Sequence, residues 1–210
     1  GVSIKIRKAT ASDASFLAQM ILQSSRAEKK ICIYDLIFGT TSDDDLLKNL
    51  EKLTQTTAKN SCHYSNFLVA EVDGKQVGSL CTYEPRIATR QAFCDALKEV
   101  GVVNSETSEA IEILNNCDFN VNNRTLIFDF MEEVDGFIDV GVMKELMVKS
   151  LLTARLKGYR IAQTVVEIGS LETLLYYKKL GFTEVDTKEC ELYKEKFGRA
   201  GLVLLSYEFW

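Results

Sequence analysis

The sequence holds one histidine, His63, and one proline, Pro85, and none of its cysteines stands close enough to another to clasp a metal. The six cysteines lie at 32, 62, 81, 94, 117 and 190, with no CxxC pair and His63 as the sole imidazole, so a zinc centre is excluded. Most sit in apolar contexts and read as reduced core thiols of a cytoplasmic protein. Cys62 beside His63 is a poor nucleophile and base, because neighbours in an extended segment point to opposite faces. His63 reads as a surface loop residue. Positive charge is also scarce: 25 basic against 30 acidic residues give a net −5, which leaves no net field drawing the chain to nucleic acid or an anionic membrane. Apolar runs such as 67–70 and 200–206 fall far short of the roughly 20 residues needed to span a bilayer. Residues 1–8 alternate like a strand and lack the apolar centre of a secretory signal, and Gly1 in place of Met reads as the trace of a removed tag. With no stretch rich in Pro, Gly or Ser to serve as a linker, residues 1–210 read as one domain.

What is present is a mixed strand and helix pattern, in a chain 46% apolar and 26% charged, enough to bury a large core. Ile4 and Ile6 mark a first strand. Ser12-Asp13 then caps an amphipathic helix carrying Phe16, Leu17, Met20 and Ile21 as far as about Arg26. The apolar and aromatic run 31–38 stops at Gly39. Asp43, Asp44 and Asp45 open a second helix with Leu46, Leu47, Leu50 and Leu53 as its stripe. Those acids complement the helix dipole rather than bind a metal, since consecutive helical residues fan apart. Residues 67–72 and 75–81 flank Asp73-Gly74, a strong hairpin signal. From Pro85 to about 123 the pattern is helical, with Phe93, Leu97 and Val100 in one segment, Ala110, Ile111 and Leu114 in the next, and Ser105-Glu106 as the cap between. Residues 115–123 read as a loop, and the next strand is expected at 137–143. A helix over 144–158, a strand over 161–168 with Ala162, Thr164 and Val166 on one face, a helix over 171–180, and strands at 182–185 and 202–209 complete a three-layer α/β pattern with a mixed sheet.

Residues 161–182 read IAQTVVEIGSLETLLYYKKLGF. The close of that stretch, Tyr177-Lys178-Lys179-Leu180-Gly181-Phe182, resembles the Y-x-K-x-G-F ending of the helix before the sixth strand in the GNAT superfamily of acetyl-CoA-dependent N-acyltransferases. The order of elements is similar over essentially the whole chain, and the helical stretch at about 86–123 looks like an insertion found in one GNAT subgroup. The resemblance implies a GNAT-like three-layer α/β/α fold with a mixed, mainly antiparallel central sheet and a helical insertion. It also implies an N-acetyltransferase that moves acetyl from acetyl-CoA, as cosubstrate and without a metal, to a small-molecule or peptide amine by direct attack. A cytoplasmic protein with no nucleic-acid or membrane partner is expected, and a homodimer is compatible with it.

Carried over by position, the resemblance puts the pantetheine arm on the backbone of Gly141, Val142 and Met143, with Val140-Gly141-Val142 standing for the family's V-x-V strand. Tyr177 then lies near the sulfur as the acid. Asp139 is the nearest acid to serve as base, ahead of Glu132, Glu133 and Asp135. Lys144 and Lys149 are placed to reach the CoA phosphates, and Ser170 stands where the family usually has Asn, able to cap the following helix. Tyr177 equally reads as a core aromatic, Asp139 as a structural hydrogen-bonder and the lysines as a solvated helix face. One departure stands out: the family's R/Q-x-x-G-x-G/A loop follows the V-x-V strand directly, whereas 142–149 has no glycine and is about four residues short of that pattern. This reads as a loop deleted or missing from the chain. A true deletion would favour a second expectation, a degenerate GNAT-fold binding or regulatory module. The acceptor pocket is expected from the second helix, the 31–38 segment and the inserted helices, which are acidic and aromatic enough for a cationic amine.

Overall fold

The computed structural model describes every residue except 1, 41, 103, 122–123 and 138–139. Alternating apolar residues form β1 (Ile4–Lys8), which pairs antiparallel with β2 (Phe67–Val72), and β2 turns through Asp73-Gly74 into β3 (Lys75–Tyr83). Both turn residues have positive φ, 52° and 76°, the conformation that keeps a two-residue hairpin in step with strand twist. β3 pairs antiparallel with β4 (Leu126–Glu133), β4 pairs parallel with β5 (Ile161–Glu167), and β5 pairs antiparallel with β7 (Gly201–Glu208), which also pairs with β6 (Thr183–Glu189). The spatial order is therefore β1-β2-β3-β4-β5-β7-β6.

Helices cover both faces, giving the three layers expected. On one side lie α1 (Ala14–Arg26), α2 (Ile33–Phe38) and α3 (Asp43–Leu53), with the inserted α4 (Arg90–Val100) and α5 (Ser105–Cys117) packed beyond them. Leu17, Ile21, Ile37, Leu50 and Phe93 from these helices meet Phe67, Cys81 and Phe130 of the sheet. On the other side, α6 (Val142–Leu156) and α7 (Leu171–Lys179) bury Val142, Leu146, Met147, Ala154 and Tyr177 against Leu80, Phe128 and Leu205. The triple-aspartate start of α3 behaves as a cap: the Asp45 N–H donates to Ser42 Oγ at 3.2 Å, and Asp43 pairs with Arg26 at 2.7 Å.

Several expectations are corrected. The strand is Leu126–Glu133, not 137–143; Val140 lies in a turn and Val142 is already helical. The physical reason is visible in the burial of Val142, Leu146, Met147, Ser150 and Ala154, which recur with a helical period, while Gly141 at φ 93° has a backbone that a strand does not adopt. Asn104, not Ser105, caps α5, its side chain accepting from the Thr107 N–H. Residues Glu191–Phe197 form a further helix, α8, which the pattern did not suggest. Cys117 and Cys190 are joined in a disulfide that ties α5 to the start of α8, so the reading of reduced thiols fails for this pair. It holds for Cys32, Cys62 and Cys81, which are free and buried, with burial pushing the Cys32 and Cys62 thiols up to about 12. His63 is buried rather than on the surface: its ring stacks 4.5 Å from Tyr64, and its Nδ1 accepts from the Ser65 backbone N–H at 3.1 Å.

The entry to α1 is fixed by charge. Arg7 on β1 grips Asp13 with two 2.8 Å bonds and holds Glu71 of β2 at 2.5 Å, while the Thr10 N–H and the Gln76 side chain also donate to Asp13. The Arg7 guanidinium holds the Asp13 carboxyl down at about 2, from an ordinary 3.8. A depressed carboxylate stabilises the fold fully above its unfolded value and loses that contribution as pH falls toward its folded one. Removal of the anion by Asp13→Asn should therefore cost about 3 kcal/mol near neutrality, lowering the melting temperature by roughly 6–12 °C. The gap between variant and wild type should narrow as melts are recorded from pH 4 down to 2, where wild-type Asp13 is itself protonated. Thiol titration checks the cysteine assignment: in denaturant four thiols should react before reduction and six after it.

Candidate active site

β4 and β5 touch through only two residue pairs, Leu126 with Ala162 and Ile127 with Gln163. Beyond them the strands part. Thr164 Oγ1 donates to Phe128 O at 2.9 Å across the point of divergence, and past it Phe128–Glu132 and Thr164–Glu167 line opposite walls of a cleft of about 1280 Å³. A strand that leaves its partner exposes backbone N–H and C=O groups that must find other partners.

A bulge in β4 shapes one wall. Against β3, Ser79 pairs with Glu132 but Cys81 pairs with Asp129, so β4 carries one residue more than β3 between those points. Phe130 absorbs it at φ 49°, and Ser79 Oγ secures the Phe130 carbonyl at 2.9 Å. Simple alternation would put Phe128 and Phe130 on one face. Instead Phe128 packs with α6 and α7, and Phe130 packs with Tyr34 and Phe67 on the opposite side, at 6.4 and 5.9 Å between ring centroids.

The bulge also presents Asp129 to the cleft. Its Oδ1 accepts from the Phe130 N–H at 2.8 Å, and among the described residues no hydrogen bond engages Oδ2. Tyr34, Cys62, Cys81 and Tyr83 lie close enough to feel its charge. Burial, seconded by the nearby charge of Asp118, raises the Asp129 carboxyl from 3.8 to about 6. A carboxyl that titrates there can exchange a proton with an amine near neutral pH.

Of the anticipated residues, Tyr177 does lie in this cleft, on α7, buried beside Thr164 and edge-on to Phe182 at 5.1 Å. Burial pushes its phenol well above the ordinary value, so it keeps its proton. Ser170 also lines the cleft at the start of α7, but its side chain makes no capping bond. Gly141 is the N-cap of α6, Val142 is buried against the sheet, Met143 is half-buried, and Lys144 and Lys149 are exposed on the same helix. None of these five lies on an extended strand. Asp139 falls outside the described residues. Glu132 and Asp135 line the cleft, with burial raising Glu132, while Glu133 is buried under Gln23, whose Nε2 donates to its backbone carbonyl. Asp129 and Thr164 were not singled out by sequence. The signal for Asp129 was available, since a lone acid in the apolar run Leu126-Ile127-Phe128-Asp129-Phe130 is the same feature that drew attention to Asp139.

Where α6 begins, the backbone is open. Gly141 brings no capping side chain, and among the described residues no side chain accepts from the first N–H groups of the helix. Gly78 of β3 lets that end sit close to the sheet: a Cβ there would stand 2.6 Å from Val142 Cγ1 and 3.1 Å from Glu132 O.

This arrangement of a seven-stranded sheet, parted central strands and two-sided helices is the fold of the GNAT acetyltransferases. An N-acetyltransferase from Staphylococcus aureus Mu50 superposes with a TM-score of 0.71 at 17% identity, over 96% of this chain and 99% of its own. The PaiA N-acetyltransferase of Thermoplasma acidophilum, solved in complex with coenzyme A, gives 0.55 at 12% identity over 99% of each chain. An acetyltransferase of the GNAT family from Streptococcus pneumoniae gives 0.53 at 16% identity, over 98% of this chain and 99% of its own. No family model and no curated protein matches the chain. The likeness is one of fold.

The Gly78 contact makes a test of the site's frame. Gly78→Val should push the start of α6 off β3 and cost about 2 kcal/mol or more in thermal melts, whereas Gly74→Ala, which meets no atom within 4 Å, should cost only the strain of its positive φ.

Proposed function

We propose that the chain is an acetyl-CoA-dependent N-acetyltransferase. The observation that carries this reading is the parting of β4 and β5 after two residue pairs, beside a helix start that no side chain caps among the described residues. The chain fits the cosubstrate at both points. The freed backbone edges of β4 and β5 suit the amide-bearing pantetheine arm, and the uncapped N–H groups of Val142, Met143 and Lys144 suit the pyrophosphate. Lys144 stands in the first turn as an exposed cation, and Lys149 lies farther along the same helix.

This reading moves the loop as well as the strand. With β4 ending at Glu133, residues 138–143 fall in register with R/Q-x-x-G-x-G/A, and Gly141 takes the place of its first glycine. Ile138 and Met143 depart from the pattern, so one of its three fixed positions is kept. A degenerate binding module remains the second reading, which failure to bind acetyl-CoA favours.

Acetyl-CoA supplies the acetyl thioester. The chain's own residues handle the protons. Asp129 receives the proton of the acceptor's ammonium on Oδ2 and leaves a neutral amine able to attack. Tyr177, kept protonated by burial, donates to the sulfur as the C–S bond breaks, and the second proton that the attacking nitrogen sheds on becoming an amide restores the phenol. Ser170 lines the cleft as a further hydroxyl.

Calorimetry with acetyl-CoA tests cosubstrate binding, and release of the CoA thiol in the presence of amines tests transfer. Micromolar binding is expected; no binding at millimolar acetyl-CoA contradicts the reading. For the wild type, kcat/KM should rise with pH and level off above about 6 as Asp129 loses its proton. Asp129→Asn should lower it roughly 10²–10³-fold and erase that inflection. Tyr177→Phe should lower kcat roughly 10–100-fold with acetyl-CoA affinity kept.

A further inference from the structure

The inserted helix α5 is held at its two ends by different means. At its start, Thr107 Oγ1 donates to the Ile37 carbonyl of α2. At its end, Cys117 is bonded to Cys190, the residue that precedes α8, with their Cα atoms 5.6 Å apart. Packing around that bond is small: Ile113, Cys117 and Phe197, with Ile33, Leu36 and Tyr193 against them. The other ties there lie at the surface. Lys196 pairs with Glu109, Arg90 pairs with Asp118, and the Lys188 ammonium donates to Asp118 O at 3.0 Å. Exposed pairs of this kind each contribute little, so the covalent bond is the main hold on the end of α5.

Both sides of the bond lead to the cleft. Asp118 and Phe119, the next two residues after Cys117, line the recess of the cleft that holds Asp129, and the charge of Asp118 helps to raise the Asp129 carboxyl. Three residues beyond Cys190, Tyr193 lines the cleft and donates to Glu167 Oε2 of β5 at 2.6 Å. The bond therefore joins the inserted wall of the cleft to the β5 wall.

Three of the four free thiols are closed to exchange. Cys32, Cys62 and Cys81 are buried, and burial raises all three, which leaves them poor in the reactive thiolate. Cys94 is half-buried on α4. Within the bonded pair Cys117 is buried, but Cys190 is half-buried at the end of the edge strand β6, on the side open to an incoming thiol.

We propose that Cys117 and Cys190 form a reversible thiol–disulfide site, opened by a dithiol and closed again by a disulfide oxidant, whose state sets the inserted wall of the cleft. A thiolate of the dithiol attacks Cys190 Sγ, and the bond breaks with its electron pair on Cys117, which takes up a proton. The second thiol, once ionised, attacks the mixed disulfide and releases the Cys190 thiolate, which is protonated in turn. Two electrons and two protons pass to the protein, and the dithiol leaves as a disulfide. Thr107 still anchors the start of α5, so reduction frees its end and lets Asp118 and Phe119 move away from Asp129. The site stands on the fold; its effect on transfer rests on the acetyltransferase reading.

Native protein treated with dithiothreitol, alkylated and mapped by mass tests the site. Cys117 and Cys190 should become alkylated without denaturant, and oxidised glutathione should close them again. On reduction, amide exchange over 110–121 and 190–198 should quicken about tenfold or more, and chymotrypsin should clip after Phe119 about tenfold faster, with β1, β2 and α6 unchanged. A variant carrying Cys117→Ser and Cys190→Ser should match the reduced protein and ignore dithiothreitol. Acetyl-CoA affinity should stay within about twofold, because α6 lies on the other face of the sheet, while kcat/KM for amines that release the CoA thiol should shift about fivefold or more. A bond that opens only in denaturant would overturn the proposal. So would exchange, clipping and amine kcat/KM that ignore reduction, or a loss of protection that spreads through the whole sheet. Failure to bind acetyl-CoA in either state, with the sulfur response intact, would instead overturn the acetyltransferase reading and leave this site standing.

Discussion

Thr164 Oγ1 reaches the carbonyl of Phe128 at the last point where β4 and β5 are close, and beyond it two central strands of one sheet go separate ways. A sheet interior is an expensive place to leave backbone unpaired. The cost is contained because each strand keeps its other neighbour: β5 pairs with β7 along its whole length, from Ile161 with Glu208 to Glu167 with Leu202, and β4 stays on β3 as far as Glu133. The two halves of the sheet can therefore diverge without unravelling. Helices on both faces, with Phe128 fixed on one and Phe130 on the other, hold the gap open.

The bulge at Phe130 serves this constraint and the chemistry together. By spending one extra residue, β4 bends away from β5 and also turns Asp129 toward the aromatic side of the cleft. The same burial that raises that carboxyl to about 6 comes from the helices that wall the recess. Tyr177 and Thr164 occupy the other side of the gap, where they meet Phe128 rather than Phe130.

Much of the fold was legible. The Asp-Gly hairpin, the stripes of α1 and α3, the inserted helices and the alternation of β5 follow from periods and turn residues alone, and Tyr177 was found through the resemblance of its helix ending. The middle of the chain was not. Leu126–Glu133 has the composition of a strand, but its bulge spoils the alternation that would announce its facing, and the run 137–143 alternates well enough to take its place. Gly141 decides between them, since an αL glycine ends an extended run and begins a helix. The strand was set too late, so Gly141, Val142 and Met143 were read as extended where the chain enters a helix, and Asp129 was passed over because its strand was not seen. The Cys117–Cys190 bond joins residues 73 positions apart, a contact that no local pattern carries. Nor could period reveal that His63 is buried under Tyr64.

The parted strands are the centre of the account, and amide hydrogen exchange with and without acetyl-CoA tests them most directly. If the gap holds the cosubstrate, protection should rise in peptides covering Phe128–Glu133, Thr164–Glu167 and the first turn of α6, while β1 and β2, at the far edge of the sheet, stay unchanged. Protection confined to other segments, with those three unmoved under saturating acetyl-CoA, would contradict it.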